Sequence, residues 1–193
     1  METIVVKKSE YEILERLKPF LLKVQKDNKL YMVYDFSNDR DHFLDLKFAI
    51  KRLKVTGINI PKLIDLDKKN LRAVVEYLDG PTAFDILREK DLDESIIEQV
   101  FIINYKARLN HLRLNFSPTK FIYQDEKLYY IPFTFSNYER EEDFTQKEIR
   151  LWFYTNEFKN MLIEKGLPID QSRIKNEYER NKEIVLTVVK YFR

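Results

Sequence analysis

From His111 to Thr134 the chain reads HLRLNFSPTKFIYQDEKLYYIPFT, and no other stretch constrains its local structure as tightly. An apolar lead-in, Leu112 and Leu114, runs into a turn at Pro118-Thr119. The alternating Phe121-Ile122-Tyr123, the polar turn Gln124 to Lys127 and the run Leu128-Tyr129-Tyr130-Ile131 then follow, before Pro132. β-Branched and aromatic runs bounded by polar turn residues read as strand, turn, strand. A loop feeding such a hairpin is a platform on which reactive side chains can be held.

Upstream, residues 3–7, 20–25 and 29–36 carry the composition of strands, with Asp27-Asn28 as the hairpin turn between the last two. From Ser37 to Thr56 the apolar positions Phe43, Leu46, Ile50 and Leu53 recur at helical spacing, and Gly57 stands where a helix stop belongs. Pro61 opens a strand at Lys62 to Leu66, Asp67 to Asn70 turns, and Leu71 to Tyr77 reads as a buried strand. Beyond the break at Gly80-Pro81, helical periodicity covers Thr82 to Arg88 and Glu94 to Leu112, the second through Ile96, Val100, Ile103 and Ala107. Residues 144–165 and 170–192 read as two further helices split by Gly166-Leu167-Pro168, and Ile174, Tyr178, Val185, Val188 and Phe192 are expected to turn one face into the core.

With 193 residues, 44% of them hydrophobic, the chain has enough apolar material for a sizeable core. Its lack of cysteine excludes a disulfide framework, a thiolate zinc site and a cysteine nucleophile. Two distant histidines, His42 and His111, offer no zinc site, and no nucleophile elbow or P-loop occurs. No apolar run approaches the ~20 residues of a membrane span, and the first residues lack a leader pattern, so a cytoplasmic protein with no membrane partner is expected. Lysine and arginine number 34 against 32 acidic residues, a net +2 that gives no strong nucleic-acid signal. The cluster Lys47, Lys51, Arg52 and Lys54 could meet phosphates, but a solvated face explains it more simply.

The segment 111–134 resembles the catalytic loop of protein kinases. The likeness is to small atypical kinases: the RIO-type group, the lineage serving threonylcarbamoyl modification of transfer RNA, and above all compact bacterial serine/threonine kinases, in which the stretch would read roughly IDFSPTNF and then YYID. Two further blocks support it. Residues 57–87, GINIPKLIDLDKKNLRAVVEYLDGPTAFDIL, are similar to the passage from the first large helix through two strands to the inter-lobe hinge near Glu76 to Gly80. Residues 137–158, NYEREEDFTQKEIRLWFYTNEF, are similar to the segment after the metal-binding Asp. Together the blocks cover most of residues 30–160.

The resemblance implies an α+β, two-lobed kinase-like fold: a small antiparallel-sheet lobe with one helix over residues 1–78 and a mainly helical lobe over 79–193. It also implies that the reactive positions have changed. A kinase needs an Asp that takes the substrate hydroxyl proton, an Asn that holds metal and a second metal-binding Asp, and the corresponding places read Asn115, Lys120 and Pro132. The strand lysine that holds phosphates is replaced by Tyr34, and its helix partner falls near Asp45 or Leu46. Gly57, Gly80 and Gly166 are the only glycines, so no glycine-rich cover lies between the first strands; residues near Leu17 to Leu22 occupy that region instead. His111 stands where a kinase His packs beneath the metal-binding strand.

The expectation is therefore a pseudokinase acting as a binding or scaffold module, with a protein partner, no bound metal, and weak binding of ATP or ADP without magnesium at the inter-lobe cleft through the hinge residues Glu76, Tyr77 and Leu78. The alternative is an active atypical serine/threonine kinase in which Lys120 neutralises phosphate and Asp125 or Glu126 supplies a carboxylate. Both of those carboxylates fall in a turn where solvation is the simpler role. Trp152, Phe153 and Tyr154 could cradle a ligand, yet packing is the plainer reading.

Overall fold

Left-handed residue pairs set the hairpins. Asp27 and Asn28 have φ of 50° and 59°, and Asp125 and Glu126 have φ of 49° and 60°. Two consecutive positive φ values make the primed turn whose twist matches that of the flanking strands, and Asp and Asn tolerate it better than bulkier residues. The computed structural model describes residues 2–192. They fall into two compact units: the residues up to Val55 with Ile60–Asp79, and Thr56–Asn59 with the residues from Gly80 on. The fold class is α+β.

The first unit holds strands β1 (Thr3–Val6), β2 (Ser9–Lys18), β3 (Leu21–Lys26) and β4 (Lys29–Asp35), helix α1 (Arg40–Val55), then β5 (Leu63–Asp67) and β6 (Arg72–Glu76). They form one six-stranded antiparallel sheet in the order β1-β2-β3-β4-β6-β5. Ile4, Val6, Tyr11, Leu22, Val24, Val33 and Val74 make one buried cluster within it. Each fully buried valine there contributes about 1.5–3 kcal/mol of apolar transfer energy.

The two edges of this sheet are clasped together. The Lys7 backbone N–H, just past β1, donates to Asp67 Oδ2 at 2.8 Å, and the Lys7 ammonium pairs with Asp65 on β5. Arg72 on β6 donates to the Val5 carbonyl at 2.9 Å and to Asp35 Oδ1 at 3.1 Å. Since β1 and β5 are the outermost strands, these bonds require the sheet to curl, which shields edges that would otherwise be open to pairing with another chain.

Strand β2 departs from the sequence reading, which assigned no strand to residues 9–18. Of its ten residues only Tyr11 is buried, and shifts of register at Ile13/Glu15 and Arg16/Lys18 break the two-residue alternation. Bulges of this kind bend a strand and erase its period. The region near Leu17 to Leu22 is the end of β2, a turn at Pro19-Phe20 and the start of β3.

The second unit contains α2 (Ala83–Glu89), α3 (Glu94–Leu109), β7 (Leu112–Arg113), β8 (Phe121–Gln124), β9 (Lys127–Tyr130), β10 (Ser136–Asn137), α4 (Phe144–Lys147), α5 (Asn156–Glu164) and α6 (Glu177–Tyr191). β7 pairs with β10, and β8 with β9. Thr82 and Asp85 form a reciprocal capping box at the start of α2. Gly80 has no room for a side chain: a Cβ there would lie 2.2 Å from the Tyr123 carbonyl oxygen. That approach permits the bond from Tyr123 N–H to the Pro81 carbonyl at 2.9 Å, which joins the chain before α2 to β8.

Three helical expectations are corrected here. α3 ends at Leu109, not Leu112, because His111 turns left-handed with φ 56° and its carbonyl accepts from Tyr138 N–H at 3.1 Å. Residues 144–165 are not one helix. Thr155 Oγ1 donates to the Arg150 carbonyl at 2.7 Å and accepts from Phe158 N–H at 3.3 Å, so it ends the preceding 3-10 turn and caps α5. Residues 170–192 begin as a 3-10 turn, and α6 starts only after Asn176, which accepts from Glu179 N–H at 2.8 Å. Most of the face expected in the core is outside: Tyr178 is 77% exposed and Val185 59%, Ile174 and Phe192 are also exposed, and Val188 is half-buried. α6 instead buries Ile184 and Arg180, whose guanidinium meets Glu183 at 2.9 Å and Asp91 at 3.9 Å.

Candidate functional site

Asn115 lies between two buried apolar anchors, Leu114 and Phe116, and this alternation turns it outward while its loop is held from behind. Phe116 N–H donates to Glu148 Oε1 at 3.2 Å, and Trp152 Nε1 donates to the Phe116 carbonyl at 2.7 Å. Both backbone groups of one residue are thus satisfied by side chains from the segment after α4. A buried hydrogen bond contributes about 0.5–1.5 kcal/mol net, whereas leaving such a group unpaired costs about 1–3 kcal/mol.

Tyr130 links the two halves of the site. Asn115 N–H donates to the Tyr130 hydroxyl at 3.3 Å, and that hydroxyl donates to the Thr134 carbonyl at 2.9 Å. Ile131 N–H donates to the Lys120 carbonyl at 3.0 Å. The loop at Asn115, the turn at Lys120 and the segment Ile131 to Thr134 are therefore tied together by these bonds. The Asn115 amide is engaged locally, its Oδ1 accepting from Ser117 N–H at 3.0 Å. Lys120 and Pro132 are half-buried, while Asp125 and Glu126 lie exposed at the β8–β9 turn.

A small cavity of about 200 Å³ opens beside Asn115, lined also by Arg113, Thr134, Phe135 and Glu148. Burial pushes the Glu148 carboxyl above the ordinary glutamate range, against the opposing pull of Phe116 N–H and Arg113. Its Oε2 is buried without a hydrogen-bond partner. Arg113 pairs with Glu142 at 2.9 Å and donates from Nε to the Glu142 carbonyl at 3.0 Å. Tyr130 is likewise raised by burial and acts as a fixed hydrogen-bonding group. Trp152, Phe153 and Tyr154 are all buried, in keeping with a packing role. His111, expected to pack beneath a strand, has an exposed side chain because its left-handed backbone points it outward.

In the first unit, Tyr34 on β4 pairs in register with Leu21 and Ala73. Burial raises its hydroxyl to about 12, so it is neutral at physiological pH. Its ring stacks with Phe36 at 6.4 Å, and Phe36 stacks with Phe20 at 5.3 Å, which makes the position aromatic rather than cationic. Asp45 is exposed and Leu46 buried on α1. The ladder of β6 ends at the pair Tyr31 and Glu76, so Tyr77 and Leu78 lie beyond it. Glu76 N–H donates to the Lys62 carbonyl at 2.9 Å. Lys23 on β3, not singled out by the sequence, sits 4.3 Å from the Tyr77 ring centroid and 3.2 Å from its hydroxyl. Strand position alone gave no hint of this pair; only the fold brings residues 23 and 77 together.

Glu148 and Tyr130 also escaped the sequence reading, because their roles depend on bonds across the unit. Among the described residues no group of three or more His, Asp or Glu side chains converges in a way that could hold a metal ion. No helix among them is long and apolar enough to cross a membrane. No protein-family model matches the chain, and neither does any curated protein.

Proposed function

We propose that this protein is a kinase-like binding module that has lost phosphoryl transfer, a pseudokinase whose two units correspond to the small and large lobes of that fold. The observation that carries the reading is the hydrogen-bonded loop at Asn115. Tyr130, Glu148 and Trp152 hold its backbone firmly, while the side chains it presents lack the required chemistry. An antiparallel sheet with one helix inserted between β4 and β5, followed by a helical unit with two short strand pairs, is compatible with that reading.

The residues at the reactive positions do not fit a magnesium ion. The Asn115 amide oxygen is spent on Ser117, the Lys120 ammonium repels cations, and Pro132 has no donor atom. Loss of a general base alone lowers a rate by roughly 10²- to 10⁴-fold, and loss of the metal carboxylates removes the charge neutralisation on which transfer depends. The part of such a chain that would still serve is the hinge: Tyr77 and Leu78 follow the last β6 ladder pair, and adenine recognition by backbone groups needs none of the lost side chains.

Calorimetric titration with ATP and ADP, each with and without magnesium, tests the nucleotide part. Binding that does not strengthen with magnesium supports it. The absence of heat and of any thermal shift with every nucleotide would remove it and leave a scaffold alone.

A further inference from the structure

Helix α1 carries a second exposed surface in addition to the face it buries. Arg40, Leu44, Lys47, Phe48, Lys51 and Val55 fall within a stripe about 100° wide at 3.6 residues per turn. Leu44 is 45% exposed, Phe48 61% and Val55 67%. The buried residues Phe43, Leu46, Ala49, Ile50 and Leu53 face another way. Between the first half of this stripe and the β5–β6 turn lies a groove of about 450 Å³, with Phe43, Leu44 and Leu71 as its apolar lining and Arg40, Lys47, Lys68 and Lys69 as its cations.

Two features distinguish this groove from an ordinary solvated face. Among the described residues, none of its cationic side chains takes part in an ion pair, although many other cations of the chain do. The turn that supplies Lys68 and Lys69 is also rigid. Asp67 accepts from the N–H groups of Lys69 and Asn70, both at 3.0 Å, and the chain leaves the turn through Leu71 with φ 53°. The backbones that carry these cations are thus fixed around one apolar concavity, and an anionic occupant would be complementary to the charge they bring to it.

We infer that this groove docks an acidic amphipathic peptide segment of a partner protein, which seats an apolar side chain against Leu44 and Leu71 while its carboxylates meet Arg40, Lys47, Lys68 and Lys69. The concavity suits a protruding side chain better than a flat bilayer. The apolar lining favours a peptide over a nucleic-acid backbone, whose sugar-phosphate chain has no apolar side group to place there. The inference goes beyond the nucleotide reading, which concerns Glu76 to Leu78, and nucleotide titration of the groove variants separates the two.

The test is fluorescence anisotropy of the full chain with a labelled synthetic peptide bearing two leucines at i and i+4 flanked by glutamates. A glutamine-for-glutamate peptide and a serine-for-leucine peptide serve as controls. The acidic peptide is expected to bind and to weaken with salt, as screened charges must. Lys47→Glu combined with Lys69→Glu is expected to weaken it by about tenfold or more, and Leu44→Ser by several-fold. Both controls should bind far less. All three substituted side chains are exposed, and unchanged near-ultraviolet circular dichroism verifies each fold. Lys68→Ala serves as the milder variant should the double reversal unfold. No binding of the acidic peptide, affinity indifferent to these substitutions, or displacement of the peptide by a single-stranded oligonucleotide or by phosphatidylserine vesicles would overturn the inference.

Discussion

Asp67 closes the curl of the sheet, and its replacement by asparagine shows how much that clasp is worth. Its carboxylate accepts from Lys7 N–H and Asn70 Nδ2, each at 2.8 Å, and from the N–H groups of Lys69 and Asn70. These bonds, led by Asn70 N–H, lower its pKa from 3.8 to about 2. A shift of that size is worth about 2.4 kcal/mol of folding stability at neutral pH before screening. Asp67 is only 4% exposed, but asparagine keeps one of its two acceptor oxygens, so about 1–2 kcal/mol is the fair expectation for the substitution. Because the folded pKa is depressed, this stability is fully present above the unfolded value near 3.8 and is lost as pH falls through about 2. About half is gone by pH 3. Urea unfolding of wild type and Asp67→Asn, at neutral pH and at acidic pH, reads the difference directly. The gap between them is expected to shrink as pH falls. A gap below about 0.5 kcal/mol at neutral pH, or one that does not change with pH, would refute the clasp.

Other perturbations follow from the second unit. Gly80→Ala forces a Cβ against the Tyr123 carbonyl oxygen, and is expected to cost about 1–3 kcal/mol as overpacking does, read as a lower melting temperature. Trp152→Phe strands the Phe116 carbonyl and is expected to cost about 1–3 kcal/mol in urea unfolding. Glu148 has the opposite sign to Asp67. Its raised folded pKa penalises the native state at neutral pH, so wild type should gain stability relative to Glu148→Gln as pH falls through that raised value. The same urea series would show this, and a gap that moves the other way would count against it.

Local rules carried most of the fold. The turns at Asp27-Asn28 and at Asp125-Glu126 were legible because turn chemistry and strand alternation both act within a few residues. Helix α1 was legible from its apolar spacing and from Gly57, which adopts φ 71° just past its end. Strand β2 was not, since two breaks in register and a mostly exposed run of charge remove its period. The face of α6 was misjudged because periodicity shows which residues share a face, not which face is covered. There a buried Arg180, paired with Glu183, displaced the apolar stripe. At the site, the sequence located Asn115, Lys120 and Pro132 on one strand–turn–strand frame. It could not show Glu148 or Tyr130, whose hydroxyl and carboxylate reach the loop through tertiary bonds spanning 15 and 32 residues. The cationic groove was half visible: Lys47 stood out within a basic cluster, but Arg40, Lys68 and Lys69 joined it only once the turn after β5 was in place.

The central claim is that the frame at Asn115 persists without phosphoryl transfer. Its most direct test is a radiolabel assay with γ-labelled ATP and magnesium, run on wild type and Lys120→Ala beside a general protein substrate. The account expects no transfer to the protein itself or to the substrate above the level without protein, and no difference between the two forms. Transfer by wild type that Lys120→Ala abolishes, with an exposed lysine change such as Lys54→Ala leaving it intact, would contradict the account and identify an active kinase with a rearranged site.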